Sequence, residues 1–481
     1  MRPKIARGAR SGVARGFATR IRIAEFSHQH LGMSFMLHKP GVTQALARFV
    51  VETRCSDIPE PVRHQAKRAL LNFFAVALAG CRAGPMETAL QSLAAFSDRK
   101  QATVIGRSER MDALSAAFLN AAGANVLDFD DTHVPTAIHP TAPVAPALLA
   151  LSELRRVSGP DLLLAFILGF EVECRIGNAI SPGHYAKGWH ITSTCGVFGA
   201  AAAAGKLLAL DGQRMIWALG NASTQSSGLC ECLGSPAKSI GVGNAARNGL
   251  WSALLAEKGF AGPAEPIAGV QGFFNAMAEP PNWSALTTAL GESWEIAHNA
   301  IKPYPCGFVI HPFLDCVLDW RRAHPTDTVE RVVLRGNPLL SDRSDRPDIS
   351  TGRESQVSVQ HAVAAALVHA RAGIDQFTDH CARDPAVIAM RRRIAVVRDP
   401  AIATIAAEIE LTTADGTTHR LSTPAARGSA GNPMNDRDLE DKLRMAADGW
   451  RPGYDAAPLI AAIWALDRSA DASRLLALTV P

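Results

Sequence analysis

From residue 42 to about residue 297, apolar positions recur near the helical period. Residues 59–80 set the pattern: Pro59 and Pro61 open the segment, Val62, Ala66, Ala69, Leu70, Phe73 and Leu78 form one stripe, and Gly80 closes it. Segments 113–127, 142–156, 160–180, 195–210 and 243–258 follow the same grammar. Many are rich in alanine, as at Ala200 to Ala204. Small residues let helix backbones approach closely, so the pattern predicts a densely packed bundle. No internal repeat is visible, which disfavours a solenoid.

Near Lys302 the pattern changes. Residues 329–337 contain a β-branched run, and 394–397 read Ile-Ala-Val-Val. In 407–413 the apolar Ala407, Ile409 and Leu411 alternate with Glu408, Glu410 and Thr412. Asp415-Gly416 supplies a hairpin turn and 417–423 returns. A helical pattern at 356–372 lies between these strands, and helices resume at 436–447 and in the tail. The predicted fold class is mostly α: a large all-helical domain (41–297 plus 427–481) carrying an inserted, smaller α+β lid domain (298–426). A cleft between two such domains is a common place for a small ligand.

Composition narrows the function. The chain has 481 residues, 47% hydrophobic and 20% charged, a globular balance too long for one core. Residues 1–40 hold eight Lys or Arg and one acid, so this segment reads as a disordered or misannotated basic extension. The rest carries 41 bases against 44 acids, and the chain has only 3 Tyr, so no nucleic-acid partner is expected. No stretch reads as a membrane span. Nine cysteines with no Cys-x-x-Cys pair suit free thiols in a cytoplasmic protein.

Four polar clusters interrupt the apolar text. Asp128-Phe-Asp-Asp-Thr-His, then His139-Pro, puts three acids and two histidines within twelve residues. Such a set suits a metal, a general acid/base group, or simple helix capping. Gly188-Trp-His190-Ile-Thr-Ser-Thr precedes a small-residue helix and can aim a histidine at an anion. Lys238 lies between Gly234 and Gly241, where a lysine suits a carboxylate. Lys302-Pro-Tyr-Pro-Cys306 with His311 falls at the predicted domain boundary, and Cys306 is a candidate nucleophile. There is no dinucleotide-binding glycine fingerprint and no P-loop. Histidine, aspartate and lysine together suit cofactor-free chemistry beside a carboxylate.

In this order, over roughly residues 40–470, these motifs resemble the MmgE/PrpD family. The resemblance implies a helical domain with a smaller α+β lid, a homodimer, and no metal or other cofactor. It implies a lyase or isomerase of a small di- or tricarboxylate. Dehydration of a 2-methylcitrate-like acid, as in propionate catabolism, is the first expectation. Epimerisation of an iminodisuccinate-like acid and cis-aconitate-type decarboxylation are alternatives, as is a catalytically silent carboxylate- or partner-binding member. By position it gives catalysis to His190, Asp128 and His139, and substrate binding to Lys238, Lys302, Thr132 and His361. The chain departs from the family pattern at Gly241, Gly307 and His361.

Overall fold

Local sequence sets the helix starts in the computed structural model, which describes residues 41–277 and 281–481. The basic extension expected at 1–40 lies outside the described residues. The first helices are α1 (Val42–Glu52), α2 (Glu60–Gly80), α3 (Gly84–Ala94) and α4 (Ala113–Asn125). The Asp112 carboxylate caps α4 by accepting from the amides of Leu114 and Ser115. Next come α5 (Thr141–Leu154), α6 (Gly159–Ile180), α7 (Ile191–Leu207), α8 (Gly212–Ser223) and α9 (Ala237–Glu257). A two-stranded ribbon, β1 (Ala102–Thr103) with β2 (Arg110–Met111), lies between α3 and α4.

Small residues bring the bundle's central helices together. A Cβ on Gly169 of α6 would sit 2.6 Å from the Gly199 carbonyl oxygen of α7. One on Gly249 of α9 would sit 2.5 Å from the Ala200 Cβ. The stripe Val62, Ala66, Ala69, Leu70 and Phe73 of α2 is buried in the same core.

Two helix starts differ from the sequence expectation. Helix α7 begins at Ile191, so Thr192, Ser193 and Thr194 lie in its first turn, with His190 as the N-cap residue. Helix α9 begins at Ala237, straight after Pro236, and carries Lys238 in its first turn. The expected run of helices also stops early. Beyond Glu257 the described residues are mostly irregular to Ile301, with short helices at Phe273–Met277 and Ser284–Thr287. Gly259, Gly262, Pro263, Pro266, Gly269 and Gly272 break it.

Two short strands decide where the site forms. β3 (Thr132–His133) pairs antiparallel with β4 (Asn299–Ala300), with Thr132 opposite Ala300. This ladder carries Lys302 to the segment that follows α4. A second core then forms on a four-stranded sheet of β5 (Val329–Gly336), β6 (Ile394–Arg398), β7 (Ala407–Thr413) and β8 (Thr418–Thr423). The order is β6-β5-β7-β8, with β5 and β6 parallel and the other pairs antiparallel. Gly416, at φ 86°, makes the turn between β7 and β8. The inward residues of β7, Ala407, Ile409 and Leu411, are buried, as their alternation predicts. Helices α10 (His311–Ala323), α11 (Pro338–Ser344), α12 (Gly352–Ser355), α13 (Val359–His369) and α14 (Pro385–Arg391) complete this part. Helices α15 (Asp436–Trp450) and α16 (Ala457–Trp464) return to pack on α2, and Leu443, Ala447, Trp450 and Ile463 join the first core. Among the described residues no single helix is long and apolar enough to cross a membrane.

Candidate functional site

Six expected site residues, Thr132 among them, meet in one buried cluster. Asp128 follows the C-terminus of α4 with φ 51°, a conformation that non-glycine residues seldom adopt. Its Oδ1 accepts from Lys238 Nζ at 2.5 Å and lies 3.2 Å from Lys302 Nζ. Lys302 Nζ also donates to the Asp128 carbonyl oxygen at 3.0 Å and lies 3.7 Å from Asp130 Oδ1. His139 Nε2 is 3.4 Å from Lys238 Nζ. Asp128, His139, His190, Lys238 and Lys302 are between 1% and 8% exposed, so water contributes little screening.

The partners of His139 settle its protonation. Nδ1 lies 2.8 Å from the Asp131 carbonyl oxygen, which only accepts, so Nδ1 carries the proton. Nε2 then accepts from the Lys238 ammonium, which only donates. The Thr132 hydroxyl is 3.3 Å from Nδ1, so Thr132 supports His139 within the cluster. Thr192 Oγ1 accepts from the His139 amide at 3.0 Å, tying the segment to α7.

Charge and burial set the ionisation states. Burial works to raise the Asp128 pKa, but Lys238 and then Lys302 outweigh it and hold the carboxyl well below the usual range. Burial raises Asp130 against the pull of the same lysines. Burial and then Lys238 push both His139 and His190 well below the ordinary imidazole value. Burial also lowers the Lys238 ammonium, against the attraction of Asp128. One atom each from Asp128, Asp130 and His139 lie within 4.8 Å of one another, a spacing that suits a cation. Two lysine ammoniums supply positive charge at that place.

Three cluster residues escaped the sequence-based assignment. Asp130 accepts from Asn125 Nδ2 at 2.6 Å. Lys442, on α15, donates to the carbonyls of Phe129 and Lys302 and to Asn72 Oδ1, at 2.7–2.9 Å. It therefore fixes the backbone on both sides of the site. Arg353, on α12, donates to the Val126 carbonyl at 2.8 Å and the Ser235 carbonyl at 3.2 Å. It ties the second core to the loops that carry Asp128 and Lys238. Asp130 stood in the quoted motif. Lys442 and Arg353 sit in charged, surface-like text with no local signal.

Other expected residues lie elsewhere. His361 does not join the cluster. Its Nε2 donates to the Gln376 carbonyl at 2.7 Å, and its ring packs on Phe377 in the second core. It is a core histidine of α13, outside the cluster that the other expected site residues form. Cys306 is buried, and burial pushes its thiol well above the usual value, which removes the thiolate a nucleophile needs. His184 Nδ1 donates to the Met277 carbonyl and Nε2 accepts from the Thr194 hydroxyl, and the ring stacks on Trp189, a packing role.

Comparisons with known proteins place this geometry in context. Residues 44–286 match the MmgE/PrpD N-terminal domain, and residues 304–468 match the MmgE/PrpD C-terminal domain. The cis-aconitate decarboxylase-like protein oryM of Aspergillus oryzae is 29% identical over 469 residues, covering 91% of this chain and 97% of that protein. The cis-aconitate decarboxylase of Mus musculus is 28% identical over 428 residues, 84% of this chain and 86% of the relative. That of Aspergillus terreus is 30% identical over 371 residues, 71% and 74% of the two chains.

Proposed function

The chain belongs to the MmgE/PrpD family, and from that premise we propose that it is a lyase that removes carbon dioxide from a small tricarboxylate of the cis-aconitate type, without a cofactor. One observation carries the reading: two buried ammoniums, Lys238 and Lys302, share one carboxylate oxygen of Asp128 beside two histidines held neutral. Two converging cations suit a substrate with several carboxylates.

Proton accounting favours decarboxylation over the dehydration expected from sequence. When an allylic carboxylate leaves as carbon dioxide, the electron pair of the broken C–C bond forms a new double bond. The old double-bond pair moves to the far carbon, which takes one proton. The reaction therefore needs an acid. Lys238 is the acid the cluster supplies, because burial makes its ammonium easier to deprotonate. Its N–H bond breaks as the C–H bond forms, and the amine regains a proton from solvent after product leaves. Lys302 holds a carboxylate. Asp128 keeps the two ammoniums together and, being held low by them, is a weak base. His139 Nε2 is occupied by Lys238. Dehydration begins by removing a carbon-bound proton, and Lys238 already engages both the Asp128 carboxylate and His139 Nε2.

Incubation with cis-aconitate, 2-methylcitrate and an iminodisuccinate-type acid in deuterated water, followed by NMR, tests the reading. The expected result is carbon dioxide release from cis-aconitate, with one solvent deuterium on the former alkene carbon. Loss of water from the hydroxy acid, or α-proton exchange alone, would overturn it in favour of a dehydratase or an epimerase.

A further inference from the structure

Gly241 leaves room for the Ser193 hydroxyl beside the His190 ring. Ser193 Oγ lies 2.6 Å from His190 Nδ1, and both residues are 2% exposed. Among the described residues Ser193 Oγ has no other hydrogen-bond partner. A buried hydroxyl whose proton finds no acceptor is costly. The arrangement that satisfies both groups has Ser193 donating to Nδ1. The neutral ring then carries its proton on Nε2. Nε2 has no protein partner among the described residues and is the nitrogen left to meet a substrate. His139, by contrast, spends its proton on the Asp131 carbonyl.

The space for this hydroxyl comes from α9. A Cβ on Gly241 would sit 2.3 Å from Ser193 Oγ, so any side chain there displaces the hydroxyl from His190. A Cβ on Gly228 would likewise sit 2.5 Å from the Ser193 Cβ. The His190 amide donates to the Gly228 carbonyl at 3.1 Å, which fixes the ring's backbone.

We propose that Ser193, in the space left by Gly241, is a positioning residue that holds His190 as the Nε2–H tautomer, so that His190 acts as a neutral hydrogen-bond donor to substrate and not as a base. The titratable and charged groups facing the ring are Lys238, Asp128, Arg353 and the neutral His139. A neutral N–H among them adds a directional donor without a further charge, the kind of group that stabilises negative charge as it develops. The kinetic part of the proposal rests on the decarboxylase reading. The tautomer does not.

The experiment is NMR of the full chain labelled with ¹⁵N-histidine, without substrate, with His190 assigned by the signals lost in His190→Gln. The expected wild-type spectrum has His190 protonated at Nε2 and unprotonated at Nδ1. Ser193→Ala should shift the ring toward the other tautomer. It should also lower kcat for carbon dioxide release with little change in KM. Gly241→Ala, which keeps the serine but moves its hydroxyl, should do the same and serves if Ser193→Ala fails to fold. A wild-type proton on Nδ1, or an unchanged tautomer in both variants, would overturn the proposal. A wild type with the Nε2 proton that decarboxylates no tricarboxylate supports the tautomer and overturns the reaction reading instead.

Discussion

Lys238 and Lys302 touch the same oxygen of Asp128, yet their surroundings differ, and their substitutions should separate. Lys238 also donates to His139 Nε2, while Lys302 spends a donor on the Asp128 carbonyl. Lys238→Met should lower kcat by about 10²–10⁴-fold, the usual worth of a positioned acid. Lys302→Met should mainly raise KM, by about 10–100-fold for a lost charge-assisted contact. Methionine keeps most of the side-chain volume, and circular dichroism checks the fold. Equal kcat losses in both variants would contradict the division of roles. Most of this cluster was legible in sequence because Asp128, His139, His190, Lys238 and Lys302 are polar side chains standing in apolar or glycine-rich text. Lys442 was not, because α15 is strongly amphipathic and a lysine there reads as solvated. It is buried because α15 packs on α2, which brings Asn72 to it. His361 is the opposite case. Its apolar neighbours belonged to a core, with the Gln376 carbonyl as its partner.

The elements matter because each contributes one edge of the site. The β3–β4 ladder brings Lys302 beside Asp128, and a two-residue pairing leaves almost no sequence signature. The starts of α7 and α9 place His190 and Lys238 next to each other, and both lay a few residues before the expected starts because glycines and hydroxyls masked them. Arg353 is the tie between the second core and these loops. Its planar fork reaches two carbonyls that an ammonium cannot span in the same way. Arg353→Lys should therefore lower kcat/KM by about 10-fold, a loss of about one hydrogen bond, with little change in thermal midpoint. Steady-state assays beside thermal scans check this. A large fall in midpoint would show that the tie serves stability instead. Helix packing gives a contrasting case. A Cβ on Gly199 would lie 2.8 Å from the Gly169 carbonyl oxygen and 2.9 Å from the Glu173 Cβ. Gly199→Ala should cost about 1–3 kcal/mol through overpacking, read as a lower thermal midpoint, while the affinity of the folded protein for a tricarboxylate stays close to wild type.

At the scale of the whole molecule, the buried acids of α6 and its surroundings set how stability depends on pH. Burial raises Asp131 to about 6 and Glu171 to about 7. Glu173 is raised well above the usual value, by burial and then by Asp131. Among the described residues both of its carboxyl oxygens are buried without a hydrogen-bond partner, close against Gly196 and Gly199 of α7. The sign follows from the proton count. Below the unfolded value, near pH 4, both states hold the proton and the group adds no pH dependence. Above it the unfolded chain ionises while the folded carboxyl stays protonated, so the folded state binds more protons and stability falls as pH rises. The loss is about 1.4 kcal/mol per pH unit for each such group, until its folded pKa is reached. The buried histidines act at the other end. Their folded values are lowered, so they cost stability as pH falls below about 6.5, equally in wild type and in a Glu173 variant. Glu173→Gln keeps the shape of the protonated acid and removes only its titration. Its thermal midpoint should differ from wild type by a constant offset near pH 4, and the difference should move in favour of the variant as pH rises to 8. Thermal scans of both proteins across that range measure it. A difference that stays flat with pH would mean that Glu173 ionises in the folded protein as easily as in the unfolded chain, and that some buried partner compensates its charge.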